Sequence, residues 1–298
     1  MGEQHTSVAV VGVGAVGGYF AYQAWKAGSR LSLCSRLPFG PLVVETNGET
    51  ISVDAPVYTD PASLEVHPWV FLATKAHQTA GAAPWLEVLC GPDTVVVVLQ
   101  NGVEHVERVS PLVGPATVLP AIVRYGGETL SPGHVRHYTY GYLYVPDSEP
   151  GRRLADLLSG SEAEVHPVAS FQEQAWSKLV TNVAANAIPA LTLQRFPVFR
   201  RPDVAELARR LMLECIAVAN AEGVGLAESL AASEVERMAS LADNVGSSML
   251  YDRIAGRPLE FDALNGAVVR AGIRHGIPTP LNFAMSALLG AISESVST

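Results

Sequence analysis

A glycine-rich hexapeptide near the N-terminus constrains the fold of this chain more than any other segment. It consists of Gly12, Val13, Gly14, Ala15, Val16 and Gly17. The apolar run Ser7–Val11 directly precedes it and predicts a buried strand, and Tyr19–Ala27 after it predicts a helix. In such a strand–turn–helix the first glycine permits the tight turn, the second lets a pyrophosphate approach the backbone, and the third lets helix and strand pack closely. The hexapeptide therefore predicts a dinucleotide site at the helix N-terminus, with an ordinary glycine-rich turn as the alternative.

Continuous apolar runs recur along the first half of the chain, and stretches with helical spacing separate them. After Ser7–Val11 the runs are Leu31–Cys34, Trp69–Ala73 and Thr94–Leu99. Continuous runs, as opposed to alternating ones, are typical of parallel strands covered on both faces. They predict an α/β fold with a doubly wound sheet of the Rossmann type. Further strands and hairpins are predicted between Thr117 and Pro146, and a last strand at Ala163–Val168.

The strand signals end after Phe171. Helical spacing then dominates, in the segments Gln172–Leu193, Val204–Glu222, Ser229–Asn244 and Ala263–Gly272. This change of pattern predicts a nucleotide-binding Rossmann domain over residues 1–169 and an all-helical substrate and catalytic domain over residues 170–298.

The residue that follows the second predicted strand indicates which dinucleotide is bound. An NAD site places an acidic residue there, to accept a hydrogen bond from the ribose 2′-hydroxyl, but this chain has Ser35 and Arg36. A guanidinium cannot accept that bond and suits a 2′-phosphate instead. Arg36 thus favours NADPH as cofactor, and an ordinary surface arginine is the alternative.

Composition and charge limit the classes of binding partner and the cellular compartment that we expect for this protein. The net charge of −9 argues against nucleic acid and anionic membranes, which attract basic surfaces. No uninterrupted apolar run approaches the roughly 20 residues that span a bilayer. Cys34, Cys90 and Cys215 are far apart and form no disulfide or zinc pattern, so no metal site is expected. The N-terminus also lacks the features of a secretion signal, and we expect a cytoplasmic protein.

The chain contains only three lysines against seventeen arginines, and two of the lysines stand at informative places. Lys75 directly follows Trp69–Ala73, at the carboxyl edge where α/β sheets bind ligands. Lys178 begins a series with Asn182 and Asn186 at spacing i, i+4, i+8, which places the three on one helical face.

The other residues from Lys178 to Ile188 are nearly all apolar, which predicts a buried helix whose polar stripe (Lys178, Asn182, Asn186) points into a cleft. A desolvated lysine ammonium could give its proton to the alkoxide that forms when a ketone accepts a hydride. A stripe that faces solvent or another helix is the alternative.

Taken together, separated motifs along nearly the whole chain resemble the ketopantoate reductase (2-dehydropantoate 2-reductase) family. The matching pieces are the hexapeptide, Arg36, the segments 74–78 and 100–102, Trp176-Ser177-Lys178 with Asn182 and Asn186, the segment 247–250 with Asp252, and the segment 259–262. The resemblance implies NADPH-dependent reduction of 2-dehydropantoate to pantoate, as in pantothenate biosynthesis. The oligomeric state stays open, with a homodimer as one alternative.

The resemblance also implies roles for individual residues. Lys178 would be the general acid and Glu260 its acidic partner. The substrate-binding residues would be Asn101, Asn182, Asn186 and Ser248. The cofactor-binding residues would be Gly12, Val13, Gly14, Ala15, Val16, Gly17, Arg36, Lys75, Gln78, Asn101 and Glu260. Without the family, Ser247 and Ser248 would be interpreted as a helix cap, and Glu260 as a charge that stabilises a helix N-terminus.

The chain departs from the family pattern on the substrate side. Pro189 stands three residues after Asn186 where the family often has a proline directly after that asparagine, Tyr251 replaces a common glutamine, and Leu259 replaces a frequent threonine. These departures leave open a paralogous NADPH reductase of another branched 2-keto acid or related carbonyl. A non-catalytic NADP-binding sensor is the other alternative, and it predicts loss of the proton donor, whereas Lys178 is present.

Overall fold

The computed structural model describes residues 6–297, and the chain divides into an N-terminal unit, Met1–Phe171, and a helical unit, Gln172–Thr298. The strands of the N-terminal unit are β1 (Ser7–Val11), β2 (Arg30–Cys34), β3 (Leu42–Thr46), β4 (Glu49–Val53), β5 (Val57–Tyr58), β6 (Trp69–Leu72), β7 (Val95–Val98), β8 (Thr117–Pro120), β9 (Ile122–Ser131), β10 (His134–Pro146) and β11 (Glu164–Val168). Its helices are α1 (Ala15–Lys26), α2 (Ala83–Leu89), α3 (His105–Val109) and α4 (Glu149–Leu158), with 3₁₀ turns at Pro61–Ser63, Ala76–Gln78, Ala80–Ala82 and Ser110–Leu112.

A six-stranded sheet, all of whose neighbouring strands are parallel, has the order β5-β2-β1-β6-β7-β8. Alternate residues of its strands belong to two separate apolar clusters. Val8 and Val10 of β1 pack in one cluster with Phe20, while Ala9 and Val11 pack in the other. Both faces of the sheet are therefore covered, which is why these strands read as continuous apolar runs. The predicted Rossmann-type fold is confirmed.

A second sheet has the order β11-β10-β3-β4, with β9 paired to β10. The hairpin β3–β4 is not among the predicted strands. Its turn is Asn47-Gly48, with φ values of 51° and 79°, the left-handed pair that a two-residue hairpin turn requires. The alternating burial of Leu42–Thr46 fits a strand with one covered face.

The helical unit contains no strand among its described residues. Its helices are α5 (Phe171–Ala185), α6 (Ala187–Thr192), α7 (Pro202–Ala221), α8 (Ser229–Ser240), α9 (Ser248–Ile254), α10 (Ala267–His275) and α11 (Pro280–Ser297), with a 3₁₀ helix at Phe196–Arg200 and a π-helical turn at Asp262–Gly266. Nowhere in residues 6–297 is a helix long and apolar enough to span a membrane.

The helix predicted over Gln172–Leu193 is interrupted at Asn186, between α5 and α6. Pro189 explains the break, because a proline has no N–H for the carbonyl four residues before it and its ring crowds that carbonyl. Two hydrogen bonds nevertheless cross the break, from the N–H of Asn186 to the carbonyl of Asn182 and from the N–H of Ala190 to that of Asn186. The helical spacing of the polar stripe therefore continues through Asn186.

Candidate active site

The carboxyl edge of the parallel sheet gathers most of the predicted cofactor residues. Val11 pairs with Cys34 and with Leu72, and Leu72 pairs with Val98. Because these strands are parallel and in this register, the segments that carry Gly12, Arg36, Lys75 and Asn101 all leave the sheet at the same edge.

Two glycines of the hexapeptide are required by the packing of the protein itself. Gly12 has φ of 97°, and a β-carbon there would lie 2.7 Å from the backbone nitrogen of Thr74. A β-carbon on Gly17 would lie 2.0 Å from the carbonyl oxygen of Gly12. These contacts are the tight turn and the close helix–strand packing that the hexapeptide predicts.

Gly14 is different, because no described residue excludes a side chain there. Its φ of −87° suits any residue, and the nearest atom to an added β-carbon, Thr129 Oγ1, is 3.7 Å away. Gly14 precedes the first turn of α1, whose N–H groups have no acceptors within the helix. A glycine that the fold does not need, at a helix N-terminus, fits close approach of a pyrophosphate to the backbone.

Arg36 lies just beyond the end of β2, and its backbone is anchored where the N–H of Ser35 donates to the carbonyl of Tyr58 at 3.0 Å. The side chain is exposed. Within residues 6–297, its guanidinium has no hydrogen-bond or ion-pair partner. Arg36 is thus available to an anionic ligand at the carboxyl edge.

A buried glutamine that is not among the predicted site residues holds two of the cofactor segments together. Gln100 is 5% exposed and follows β7. Its Nε2 donates to Thr74 Oγ1 at 3.1 Å and to Thr79 Oγ1 at 3.0 Å, which flank Lys75 and Gln78 in the chain.

The backbone of Gln100 is fixed as well. His105 is buried, and its Nε2 donates to the carbonyl oxygen of Gln100 at 2.9 Å. Asn101 follows directly, so the same residue sets the position of Asn101 and of the segment that carries Lys75 and Gln78. We refer to Gln100, Thr74, Thr79 and His105 as the Gln100 cluster. A polar amide at the end of an apolar strand was the available sequence signal.

An aromatic cluster lies on the helix that the glycine turn begins. The ring of Tyr19 on α1 is 5.1 Å from that of Tyr125 and 4.4 Å from that of His137. Burial raises the pKa of Tyr19 to about 12, and it raises the pKa of Tyr125 too. Both phenols are therefore neutral at ordinary pH, and they pack as apolar groups that fix α1 against the second sheet.

In the helical unit, the polar stripe runs along the C-terminal part of α5 and reaches Asn186 just beyond its end, whereas Gln172 and Glu173 at the start of α5 are exposed. Leu179, Val180 and Val183 are at most 1% exposed, as the apolar pattern predicts. Lys178 and Asn182 are half-buried. A lysine in this setting is partly removed from water.

Asn186 and Ser248 meet, although 62 residues separate them in the chain. Asn186 Oδ1 accepts from Ser248 Oγ at 3.3 Å and from the N–H of Met249 at 3.4 Å, in the first turn of α9. Ser247 Oγ accepts from the N–H of Leu250 at 3.2 Å, so the helix-cap interpretation holds for Ser247. The amide nitrogen of Asn186 donates no hydrogen bond to the described residues and is available to a ligand.

Glu260 is 5% exposed and directly precedes the segment that forms the π-helical turn. One residue earlier, the N–H of Leu259 donates to Ser293 Oγ on α11 at 2.9 Å. Glu260 therefore belongs to the helical unit, with the polar stripe and Ser248, whereas the other predicted cofactor residues belong to the N-terminal unit.

Comparison with known proteins adds the family to this geometry. Residues 8–150 match the model described as ketopantoate reductase PanE/ApbA, and residues 170–293 match its C-terminal counterpart. The chain belongs to the ketopantoate reductase family. The 2-dehydropantoate 2-reductase of Mycobacterium tuberculosis is 41% identical over 97% of this chain and 98% of its own length.

Solved structures of the family share the whole fold. The PanE/ApbA family ketopantoate reductase of Ralstonia eutropha has a TM-score of 0.90 and 31% identity, and the match covers 98% of this chain and 100% of that one. A dimeric ketopantoate reductase of Staphylococcus aureus has a TM-score of 0.87 and 26% identity, over 97% and 99% of the two chains. This chain is accordingly an oxidoreductase, and its family and Rossmann-type fold imply a nicotinamide cofactor.

Proposed function

We propose that this protein reduces 2-dehydropantoate (ketopantoate) to pantoate with NADPH, in pantothenate biosynthesis, and that Lys178 is the general acid. The observation that carries the substrate is the near full-length similarity to the 2-dehydropantoate 2-reductase of M. tuberculosis. The observation that supports the chemistry is the polar stripe, because it puts a half-buried lysine and two asparagines on one helical face beside the buried residues Leu179, Val180 and Val183.

The N-terminal unit would hold the cofactor. The pyrophosphate would lie against the hexapeptide, Gly12 to Gly17, where Gly14 leaves the backbone accessible. Arg36 and Lys75 would bind the adenosine phosphate end, since a guanidinium suits the dianionic 2′-phosphate of NADPH. Gln78, Asn101 and Glu260 would complete the cofactor site. When bound, NADPH supplies the hydride that adds to the keto carbon of the substrate.

The helical unit would bind the keto acid and supply the proton. Asn182 and the free amide N–H of Asn186 would hold the substrate without adding charge, and Ser248 would add a hydroxyl. As the carbonyl oxygen gains negative charge, the Lys178 ammonium would transfer a proton to it, so that the product leaves as an alcohol. Glu260 would hold or tune that lysine through its carboxylate.

We extend the proposal to a cytoplasmic homodimer. The support for a dimer is the dimeric ketopantoate reductase of S. aureus, whose fold matches over nearly the whole chain. Light scattering of the purified protein tests this: a mass twice that of the 31.5 kDa chain is expected, and a monomer at the concentrations used in the assay would contradict it.

The decisive experiment is to follow NADPH oxidation by the purified protein with ketopantoate, beside NADH and a panel of other branched 2-keto acids. Turnover is expected with ketopantoate and NADPH, at a higher kcat/KM than with NADH. Absence of turnover together with normal NADPH binding would refute the proposed reductase activity and favour a cofactor-binding sensor. Equal use of both cofactors would overturn the NADPH assignment alone.

A second candidate is the reduction of another branched 2-keto acid or related carbonyl by the same machinery. Tyr251 favours it, because this ring is 42% exposed on α9, one helical turn after Ser248, at a position where the family commonly has glutamine. A higher kcat/KM on another acid of the panel than on ketopantoate would establish this candidate. Tyr251→Gln is then expected to shift the preference toward ketopantoate.

A further inference from the structure

A buried amide network joins the helix of the polar stripe to the segment that follows Glu260. Asn265 lies in the π-helical turn and is 0% exposed. Its Nδ2 donates to the carbonyl oxygen of Val183 on α5 at 3.0 Å and to Asn282 Oδ1 on α11 at 3.0 Å. One side chain therefore bonds directly to the backbone of the helix that carries Lys178.

The network continues away from α5. Asn282 is also 0% exposed, and its Nδ2 donates to the carbonyl of Leu211 at 3.1 Å and to Glu214 Oε2 at 2.9 Å. Glu214 in turn accepts from the N–H groups of Leu281 and Asn282 at the start of α11, each at 2.9 Å. This second half of the network fixes α7 to α11, and among residues 6–297 none of these hydrogen bonds goes to α5.

The π-helical turn places Asn265 shortly after residues 259–261, which we call the Glu260 segment. The N–H of Gly266 donates to the carbonyl of Phe261 at 3.0 Å, five residues back, so the turn holds one residue more than an α-helical turn. Arg270 Nη2 donates to the carbonyl of Asp262 at 2.8 Å and secures the start of the turn. Together with the bond from Leu259 to Ser293, these contacts fix the chain on both sides of Glu260.

Asn265 carries an amide oxygen that destabilises the fold at this position. Its Oδ1 is buried and has no partner within residues 6–297, and burial of an unbonded amide oxygen destabilises a fold. An apolar side chain in a helical core would avoid that cost. What the amide does provide is a directed bond to Val183. Val183 lies three residues before the interruption at Asn186, close to the point where Pro189 has no N–H for the carbonyl of Ala185.

We propose that Asn265 is a positioning residue for the reduction. It fixes α5 relative to the Glu260 segment, and so it sets the place from which Lys178 donates its proton. The inference rests on the proposed function, because it assigns meaning to the position of Lys178. Asn265 touches neither substrate nor cofactor in this scheme and acts through the carbonyl of Val183.

The test compares two fully buried asparagines of one network. Asn265→Ala removes the bond to α5, whereas Asn282→Ala leaves that bond in place and disrupts α7 and α11. Both variants are expected to melt at lower temperature. At a temperature where both are folded by circular dichroism, Asn265→Ala should lower kcat on ketopantoate by about tenfold or more, because misplacing a reacting group is costly. The ketopantoate KM and the NADPH dissociation constant should change much less.

Asn265→Ser provides a rescue, because its hydroxyl keeps one donor, and its kcat should lie between those of Asn265→Ala and the unmodified protein. Equal kcat losses in Asn265→Ala and Asn282→Ala would overturn the inference, since they would show that Asn265 contributes only to the stability of the fold. If Asn265→Ala does not fold, the comparison of Asn265→Ser with Asn282→Ala decides: a kcat of Asn265→Ser at or above that of Asn282→Ala overturns it. Failure of the unmodified protein to turn over ketopantoate would refute the proposed function instead, before any variant is made.

Discussion

At the carboxyl edge of the parallel sheet, the packing depends on residues that have no side chain. Gly12 and Gly17 have no β-carbon because Thr74 and the Gly12 carbonyl occupy that space. In the helical unit, the packing depends on side chains that form hydrogen bonds, since the amide of Asn186 fixes α9 and that of Asn265 fixes α5. The first region should therefore fail when a methyl group is added, and the second when a hydrogen-bonding group is removed.

The largest effect is expected from Lys178→Ala. Removal of a positioned acid costs about 10²–10⁴ in rate, because the alkoxide must then take its proton from water. NADPH should still bind, since most of the proposed cofactor contacts belong to the N-terminal unit. Asn182→Ala is the companion variant on the same helical face, and it should mainly raise the ketopantoate KM.

Steady-state kinetics and a direct NADPH titration of both variants check this. A near-normal kcat in Lys178→Ala would show that another group gives the proton. Loss of NADPH binding in that variant would assign Lys178 to the cofactor site and remove the contrast between the two units.

Paired glycine variants probe the first region. Gly17→Ala should destabilise the protein by about 1–3 kcal/mol or more, because a β-carbon 2.0 Å from the Gly12 carbonyl forces the backbone to move. Gly14→Ala should fold with nearly unchanged melting temperature, since its nearest neighbour is at 3.7 Å, yet bind NADPH more weakly. Thermal melting and NADPH titration separate the two. An equal drop in melting temperature would mean that Gly14 serves packing and not the pyrophosphate.

Arg36→Ala should raise the NADPH Michaelis constant about tenfold or more, because a charge-assisted contact is worth about 1.5–3 kcal/mol. The NADH constant should change little. Arg30→Ala is a matched control, since it removes the same charge from the opposite end of β2. Equal effects of the two variants would show that Arg36 acts only through general electrostatic attraction and not through a specific contact with the 2′-phosphate.

The smallest effect is expected within the Gln100 cluster. Thr79→Val preserves the side-chain shape but removes the hydroxyl, which accepts from Gln100 Nε2 and donates to the carbonyl of Ala76 at 2.8 Å; Thr79→Ser keeps the hydroxyl. Each hydrogen bond contributes about 0.5–1.5 kcal/mol, so Thr79→Val should weaken NADPH binding by roughly two- to tenfold. Thr79→Ser should bind nearly as tightly as the unmodified protein. Equal dissociation constants for the two variants would show that the cluster does not position the cofactor segments.

Sequence predicted best where a residue's role depends on its neighbours in the chain. The strand, glycine turn and helix at the N-terminus are such a case, and so is the i, i+4, i+8 stripe on α5. The hairpin β3–β4 is not among the predicted strands, although Asn47-Gly48 is a strong turn signal in the sequence. Its strands alternate between covered and open positions and so do not resemble the continuous apolar runs of the parallel sheet. Pro189 was recognised as a departure from the family, yet only the structure shows that it interrupts the helix.

Contacts between distant segments lay beyond sequence. Asn186 meets Met249 across 63 residues, and Asn265 meets Val183 across 82. A buried amide looks the same in the sequence whether it binds a ligand, a helix terminus or a carbonyl, and only its partners distinguish these. The family resemblance supplied Ser248 and Glu260, and it supplied no role for Gln100 or Asn265.

The bond between Asn186 and the start of α9 limits how this scaffold could acquire new substrates. A side chain that serves the fold with its oxygen and a ligand with its nitrogen cannot be exchanged for either purpose alone, so residue 186 is a poor place to begin redesign. Tyr251, exposed on the helix that Asn186 secures, carries no such double obligation. A library that varies residue 251 and keeps 186 fixed is therefore the economical route to an altered keto acid preference.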